Sequence, residues 1–276
     1  MVKISNLSQI KDKYNYYLID LVGVVYDGKN PFDGAVEELN QLIEENKTVI
    51  FLSNVPRPGS LSIVKLIEMG IKQPFHVVTS GDLARDYLAK NFSEKPLFHL
   101  GKERNTDISE GLNLNLIDTL EDADAVLLTL FIEESQDPAD YGELLLKIAQ
   151  SKKEVICANP DKLAIYGKTL RTCAGYFAEE IKQHNGNVKI FGKPFIEIYE
   201  RIETFLPELK INKSKALMIG DTLETDILGA VNYGIDSLLV LSGITHLKMK
   251  EAGVNLEDYK QQQGITYAPT FIMERL

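Results

Sequence analysis

The sequence predicts an α/β fold built on a parallel β-sheet. Short apolar runs alternate with segments of helical spacing along almost all of the 276 residues, and several of these runs end directly in an acidic or polar residue. Such an alternation indicates a parallel sheet with helices on both faces. The hydrophobic fraction of 44% is typical of a soluble globular protein, and the length suits one large or two medium domains.

The βαβαβ order is clearest near the N-terminus. Val36, Leu39 and Ile43 recur at helical spacing, and Gly70 ends the helical segment that follows. The elements predicted in this part are a strand at 16–21, a helix at 35–46, a strand at 48–52, a helix at 59–69 and a strand at 76–79.

The same alternation continues through the rest of the chain. No linker rich in Pro, Gly or Ser marks a domain boundary, so the division into domains depends on the motifs. Helices are predicted near 82–90, 138–150, 176–184, 195–205 and 225–233, and strands at 97–100, 125–130, 154–158, 188–191, 216–219 and 237–241.

Four polar segments each follow a predicted strand. Each is by itself typical of a turn or a helix cap, but the carboxyl ends of parallel strands lie on one edge of the sheet, where ligands bind. Together the segments supply acids, a hydroxyl, an amide and a lysine, a set that suits a phosphoryl group and Mg²⁺. The segments are Asp20-Leu21-Val22-Gly23, Leu52-Ser53-Asn54, Gly192-Lys193-Pro194, and Gly220-Asp221 with Thr225-Asp226.

In these segments the chain resembles the haloacid dehalogenase superfamily. It is more similar to the class IIA branch, the sugar-phosphate, p-nitrophenyl phosphate and pyridoxal phosphatase-like proteins, because residues 23–35 fit that branch's flap and first helix and Asn159-Pro160-Asp161 fits the substrate-facing loop of its cap. Residues 52–58 and 78–82 are similar to a bacterial subgroup that also lacks a second acid after the nucleophile.

The resemblance implies a role for each matching residue. Asp20 becomes the nucleophile that forms an aspartyl-phosphate, and Lys193 assists it. The phosphate- and substrate-binding residues would be Ser53, Asn54, Lys193, Asn159 and Asp161. The Mg²⁺ ligands would be Asp20, Asp221 and the backbone carbonyl of Val22, with Asp226 acting through water.

The resemblance also implies a domain layout. The interval from Ser53 to Lys193 is far longer than the interval from Asp20 to Ser53, and a cap inserted in the long interval would have its own β/α alternation. The expected layout is a Rossmann-like core formed by 1–81 and 188–276, with an inserted α/β cap at 82–187. Relatives in this class often dimerise through their caps, so a homodimer is possible.

Val22 stands where most phosphatases of this superfamily carry a second aspartate. Valine can neither protonate a leaving group nor activate water, although its backbone carbonyl can still bind a metal. Three explanations compete: Tyr26, Asp27 or a cap residue such as Asp161 replaces the acid; the substrate needs little proton transfer or turnover is slow; or the protein binds a phosphorylated ligand without hydrolysing it. Phosphonate and carbon–halogen cleavage, found among relatives that vary this position, have no supporting feature here.

The composition limits the partners. A net charge of −10 opposes general nucleic-acid binding, and no apolar run approaches the roughly 18 residues that cross a membrane. Cys157 and Cys173 form no disulfide framework, and the N-terminus lacks a secretory pattern, so we expect a cytoplasmic enzyme acting on a small phosphorylated metabolite. Lys47, Lys65 and Lys72 are expected to be solvated lysines at helix ends.

Overall fold

The computed structural model describes residues 1–276 and confirms the α/β fold. The strands are β1 Val2–Lys3, β2 Tyr16–Ile19, β3 Thr48–Ser53, β4 His76–Thr79, β5 Pro96–Leu100, β6 Asn115–Ile117, β7 Ala125–Leu128, β8 Glu154–Cys157, β9 Leu163–Tyr166, β10 Thr169–Thr172, β11 Asn187–Ile190, β12 Ala216–Gly220, β13 Asp236–Val240 and β14 Phe271–Met273. The α-helices are α1 Ala35–Glu44, α2 Gly59–Glu68, α3 Ser80–Asn91, α4 Gly142–Ser151, α5 Ala174–Gln183, α6 Glu197–Phe205, α7 Leu228–Tyr233, α8 Ile244–Ala252 and α9 Leu256–Gln262.

The larger sheet is parallel and has seven strands in the order β1-β14-β13-β12-β2-β3-β4. Strand β2, in the interior of this sheet, is buried on both faces. Tyr17 and Ile19 pack into one hydrophobic cluster and Leu18 into the other, as the two-residue period of a strand requires. Ile19 is paired with Phe51 on one side and with Ile219 on the other. This register brings the residues that follow β2, β3 and β12 to the same edge of the sheet.

The smaller sheet is also parallel, with five strands in the order β11-β8-β7-β5-β6. The chain enters it through α3, which begins with a capping box: Thr79 Oγ1 accepts a hydrogen bond from the Asp82 backbone N–H, and Asp82 Oδ2 accepts one from the Thr79 N–H. The antiparallel hairpin of β9 and β10 projects from this unit.

β11 corrects one expectation. The sequence placed the strand at 188–191 in the core, but β11 pairs with β8 of the smaller sheet. Val188 and Ile190 are half-buried and alternate with the exposed Asn187 and Lys189, and such a short alternation does not distinguish one parallel sheet from another. We therefore propose that the inserted unit extends to Ile190. The division of the chain into core and cap stays a prediction.

The two sheets share one hydrophobic cluster. Leu18 and Ile50 of the larger sheet belong to the same buried group as Leu127 and Ile156 of the smaller sheet, and α6 contributes Ile198. The smaller sheet is therefore packed directly against the larger one. None of the helices combines the length and the hydropathy that a bilayer span needs.

We expect the Leu127→Ala substitution to destabilise the protein by about 2–5 kcal/mol, because Leu127 is fully buried in the shared cluster and its removal leaves a cavity. Chemical denaturation measures the change in the free energy of unfolding. The control is Leu146→Ala, at a leucine of α4 that is 39% exposed and should cost no more than about 0.5 kcal/mol. Equal losses in the two variants would contradict the shared core.

Candidate active site

A buried lysine connects two carboxylates at the edge where the strands converge. Lys193 Nζ donates a hydrogen bond to Asp20 Oδ1 at 2.6 Å and lies 2.7 Å from Asp226 Oδ1. The second contact has an ion-pair distance but lacks the angles of a hydrogen bond, so Asp226 Oδ1 keeps capacity for another partner. The Lys193 side chain is 1% exposed. Its ammonium group is therefore shielded from bulk solvent and in contact with these two acids.

Local structure explains how these three side chains meet. Asp20 directly follows β2, and Lys193 lies in the loop between β11 and α6. Asp226 lies in a π-helical turn, Leu223–Ile227, where the sequence predicted an ordinary helix start. Its Oδ2 accepts hydrogen bonds from the backbone N–H groups of Asp221 and Thr222, both at 3.1 Å. The π-helical turn therefore places the Asp226 carboxylate beside the end of β12. Such turns are frequent at functional sites.

Asn54 joins the lysine loop to the smaller sheet. Its Oδ1 accepts the Lys193 backbone N–H at 2.7 Å, and its Nδ2 donates to the Lys193 carbonyl at 3.2 Å and to Asp161 Oδ1 at 2.8 Å. Asp161 is itself held because its N–H donates to Asn159 Oδ1 at 2.9 Å. One amide side chain therefore fixes Lys193 and Asp161 relative to each other.

Asp221 completes a cluster of three acids. Oxygen atoms of Asp20, Asp221 and Asp226 lie within 4.8 Å of one another. The Asp221 carboxylate fits between two glycines: a Cβ on Gly243 would lie 1.9 Å from its Oδ2, and one on Gly23, which has a φ of +96°, would lie 2.6 Å away. Neither position has room for a side chain.

The cluster carries more negative charge than Lys193 neutralises. Burial raises the pKa of Asp20 to about 7, although the Lys193 ammonium opposes the shift, and Asp226 raises it further. Burial and the two neighbouring carboxylates hold the pKa of Asp221 well above its usual range. The same carboxylates outweigh burial and raise the pKa of Lys193. Oxygen ligands with surplus negative charge fit a hard divalent cation such as Mg²⁺.

Asp20 and Asp221 face a cavity of about 160 Å³ between the larger sheet and the smaller one. The space admits a small molecule. Most of the predicted site residues line it, and the two that do not, Asn54 and Asp226, are buried behind it and bound to residues that do. The predicted residues on its surface are Asp20, Val22, Ser53, Asn159, Asp161, Lys193 and Asp221.

Other lining residues were not predicted. Arg57, Lys65, Arg104 and Tyr166 also face the cavity. The expectation that Lys65 is a solvated lysine is wrong: the side chain is half-buried, and its Nζ donates to the Gly28 carbonyl at 3.1 Å. The sequence contains a pattern that could have located Tyr166. Two strand-like runs are separated by only two residues, Gly167 and Lys168, as in a β-hairpin, and Tyr166 directly precedes this turn.

Comparisons with known proteins show the family to which the chain belongs. A family model described as haloacid dehalogenase-like hydrolase matches residues 17–115, and one described as HAD-hydrolase-like matches residues 190–276. A crystal structure of a haloacid dehalogenase-like hydrolase from Brucella suis is 30% identical, with a TM-score of 0.85 and 99% of both chains covered. The chain belongs to the haloacid dehalogenase-like hydrolases.

Further relatives support the class IIA branch of these hydrolases. An acid sugar phosphatase from Staphylococcus haemolyticus is 27% identical over 239 residues, which are 84% of this chain and 87% of that protein. The crystal structure of a possible sugar phosphatase from Cytophaga hutchinsonii shares the fold, with a TM-score of 0.79 at 21% identity, 100% of this chain and 98% of the other being covered. The family predicted from the sequence is thereby confirmed.

We expect Mg²⁺ at 100 times its dissociation constant to stabilise the protein by about 2.7 kcal/mol, as an ion held by the acid cluster of the folded state alone would do. Thermal unfolding at neutral pH with and without Mg²⁺ measures the shift. Asp221→Asn should abolish it yet leave the Mg²⁺-free protein at least as stable, because one of three crowded buried charges is removed. Asp33→Asn, at an exposed acid, should keep the full shift. A full shift in Asp221→Asn would exclude Asp221 as a ligand.

Proposed function

We propose that the protein is a Mg²⁺-dependent phosphatase that transfers the phosphoryl group of a small phosphorylated metabolite to Asp20 and then to water. The observation that carries the proposal is Lys193, buried between Asp20 and Asp226 beside a third carboxylate at the edge of the cavity. Membership of the hydrolase family and similarity to a relative called acid sugar phosphatase support the same reaction.

In the first step the Asp20 carboxylate attacks phosphorus, and the bond from phosphorus to the leaving oxygen breaks. Lys193 and the Ser53 hydroxyl, both facing the cavity, stabilise the negative charge on the phosphoryl oxygens. Asp20, Asp221 and the Val22 carbonyl would hold Mg²⁺, with Asp226 acting through water. The bound ion supplies charge that keeps Asp20 ionised and neutralises the phosphoryl group.

Proton transfer needs a group other than Val22, whose side chain lies at the cavity surface. Asp27 is occupied elsewhere, since its Oδ1 accepts the backbone N–H groups of Lys29 and Asn30, both at 2.8 Å, and it does not face the cavity. Burial and the Asp20 charge raise the pKa of Tyr26 well above its usual range, so its phenol keeps its proton near neutral pH and serves poorly as an acid or a base.

Asp161 is the remaining candidate of the three. It opens onto the cavity, and burial raises its pKa to about 6, against the hydrogen bond from Asn54 and the Lys193 charge. A carboxyl group with such a pKa can both donate and accept a proton near neutral pH. We assign it the transfer of a proton to the leaving oxygen and, in the second step, removal of a proton from the water that attacks the phosphoryl group on Asp20.

Non-catalytic binding of a phosphorylated ligand is the second candidate function. Val22 favours it, because the usual acid is missing while the binding residues are all present. Cytoplasmic location and a dimer formed through the cap stay predictions.

The Asp20→Asn substitution should lower kcat for p-nitrophenyl phosphate by about 10⁴-fold or more, since an amide is not a nucleophile. Phosphate release in the presence of Mg²⁺ measures the rate. Asp27→Asn is the matched control: it changes an acid of the same loop that does not face the cavity, and it should retain activity. Activity that survives Asp20→Asn would refute the nucleophile, and an inactive native protein that binds phosphate esters would favour the second candidate.

We expect Asp161→Asn to lower kcat/KM, which reports the first step, for an alkyl phosphate such as glycerol 3-phosphate by about 10²–10⁴-fold and for p-nitrophenyl phosphate much less, because nitrophenolate leaves without a proton. Val22→Asp should raise the turnover of both substrates and partly restore the Asp161→Asn variant. Steady-state rates for the two leaving groups test this. The same loss for both substrates, or no gain from Val22→Asp in a folded protein, would contradict the assignment.

A further inference from the structure

The cavity has two ends of opposite charge. Its acidic lining residues are Asp20, Asp161 and Asp221, all at the end proposed to bind the phosphoryl group and Mg²⁺. Apart from Lys193, its basic lining residues are Arg57, Lys65 and Arg104. These three cations come from both sides of the cavity, since Arg57 and Lys65 lie near α2 on the larger sheet and Arg104 follows β5 of the smaller sheet.

Each of the three cations is held by its surroundings. The Arg104 guanidinium lies 4.1 Å from the ring centre of Phe131 and 4.9 Å from that of Tyr166, and it pairs with Glu133. Arg57 Nε lies 3.6 Å from a carboxylate oxygen of Asp107. Such fixed cations bind an anion with little loss of side-chain freedom.

Lys65 forms no ion pair, and Asp27, the acid that acts on its charge, lies beyond salt-bridge distance. Its Nζ contacts the Gly28 carbonyl and the face of the Tyr26 ring, whose centre is 4.0 Å away, and no carboxylate lies within ion-pair distance. Burial lowers its pKa, and the positive charges of Arg57 and Arg104 lower it further. Three cations that repel one another around an open cavity form a site for an anion.

Tyr26 lines the same cavity as both groups of charges. Asp20 and Arg57 line it too, and the Lys65 Nζ lies 4.0 Å from the centre of the Tyr26 ring. Because these residues surround one cavity of about 160 Å³, a single small molecule can contact Asp20 and the cationic residues together.

We propose that the cavity selects phosphate esters whose other part carries a second anionic group, a carboxylate or a second phosphate, bound by Lys65, Arg57 and Arg104. This inference rests on the proposed phosphatase function, because Asp20 defines which phosphoryl group is transferred. A second anionic group distinguishes this substrate from phosphate esters of neutral sugars or alcohols, which would leave Lys65 without an anionic partner.

Three probes with the same three-carbon chain test the proposal. Glycerol 3-phosphate has a neutral remainder, 3-phosphoglycerate adds a carboxylate, and 1,3-propanediol bisphosphate adds a phosphate. We expect kcat/KM for at least one of the two doubly anionic probes to exceed that for glycerol 3-phosphate by about tenfold or more, as charge-assisted hydrogen bonds allow. The faster of the two identifies which anion is preferred.

Lys65→Met and Arg104→Gln should each reduce this preference by about tenfold or more. The readout is the ratio of kcat/KM values within one variant, which a general loss of folding does not change. Lys72→Met is the matched control, because Lys72 is a 60% exposed lysine that pairs with Glu44 away from the cavity, and it should keep the native ratio.

A native protein that prefers glycerol 3-phosphate or treats all three probes alike would overturn the proposal, as would Lys65→Met and Arg104→Gln variants that both keep the native ratio. Failure of the phosphatase function gives a different result, the absence of hydrolysis even for p-nitrophenyl phosphate. In that case the dissociation constants of the three probes with Mg²⁺ decide the question. Binding of a doubly anionic probe about tenfold tighter than glycerol 3-phosphate supports the anion site, and equal binding overturns it.

Discussion

The ion pair between Lys193 and Asp20 is the constraint on which the rest of the site depends. A lysine with 1% of its side chain exposed is stable only because the carboxylates of Asp20 and Asp226 lie 2.6 and 2.7 Å from its ammonium. Three separate parts of the chain must therefore meet at one point. The register of β2 with β3 and β12 places the acids there, and Asn54 fixes the lysine loop.

This arrangement places excess negative charge in a buried site. Three acids share one lysine in a buried place, so burial and mutual repulsion raise the pKa values of Asp20 and Asp221. A protein optimised only for stability would not keep such a cluster, and a divalent cation together with a phosphoryl group would balance its charge. Glycines at positions 23 and 243 leave space for the Asp221 carboxylate and allow no alternative side chain.

The strand-end motifs were predictable because they are local. Asp20, Ser53 and Asp221 lie at the ends of strands of the larger sheet, and parallel topology alone brings such positions together. Lys193 follows β11 of the smaller sheet, and the hydrogen bonds of Asn54 hold its loop at that edge. The cationic end of the cavity was not predictable. Lys65 lies on α2 at a position that the helical pattern of the sequence assigns to solvent. It is half-buried because its ammonium contacts Tyr26 and Gly28, and a periodic sequence pattern does not encode such contacts. The sheet that β11 joins and the π-helical turn at Asp226 likewise depend on tertiary packing.

The proposed phosphatase reaction requires Asp20 to carry the phosphoryl group between substrate and water. A rapid-quench experiment tests this by mixing the native protein with excess p-nitrophenyl phosphate and Mg²⁺, stopping the reaction with acid, and locating any phosphoryl group on the chain by peptide mass spectrometry. We expect one phosphoryl group on the peptide that contains Asp20, and none when Mg²⁺ is omitted. Turnover without modification of that peptide, or a phosphoryl group on a different residue, would contradict it.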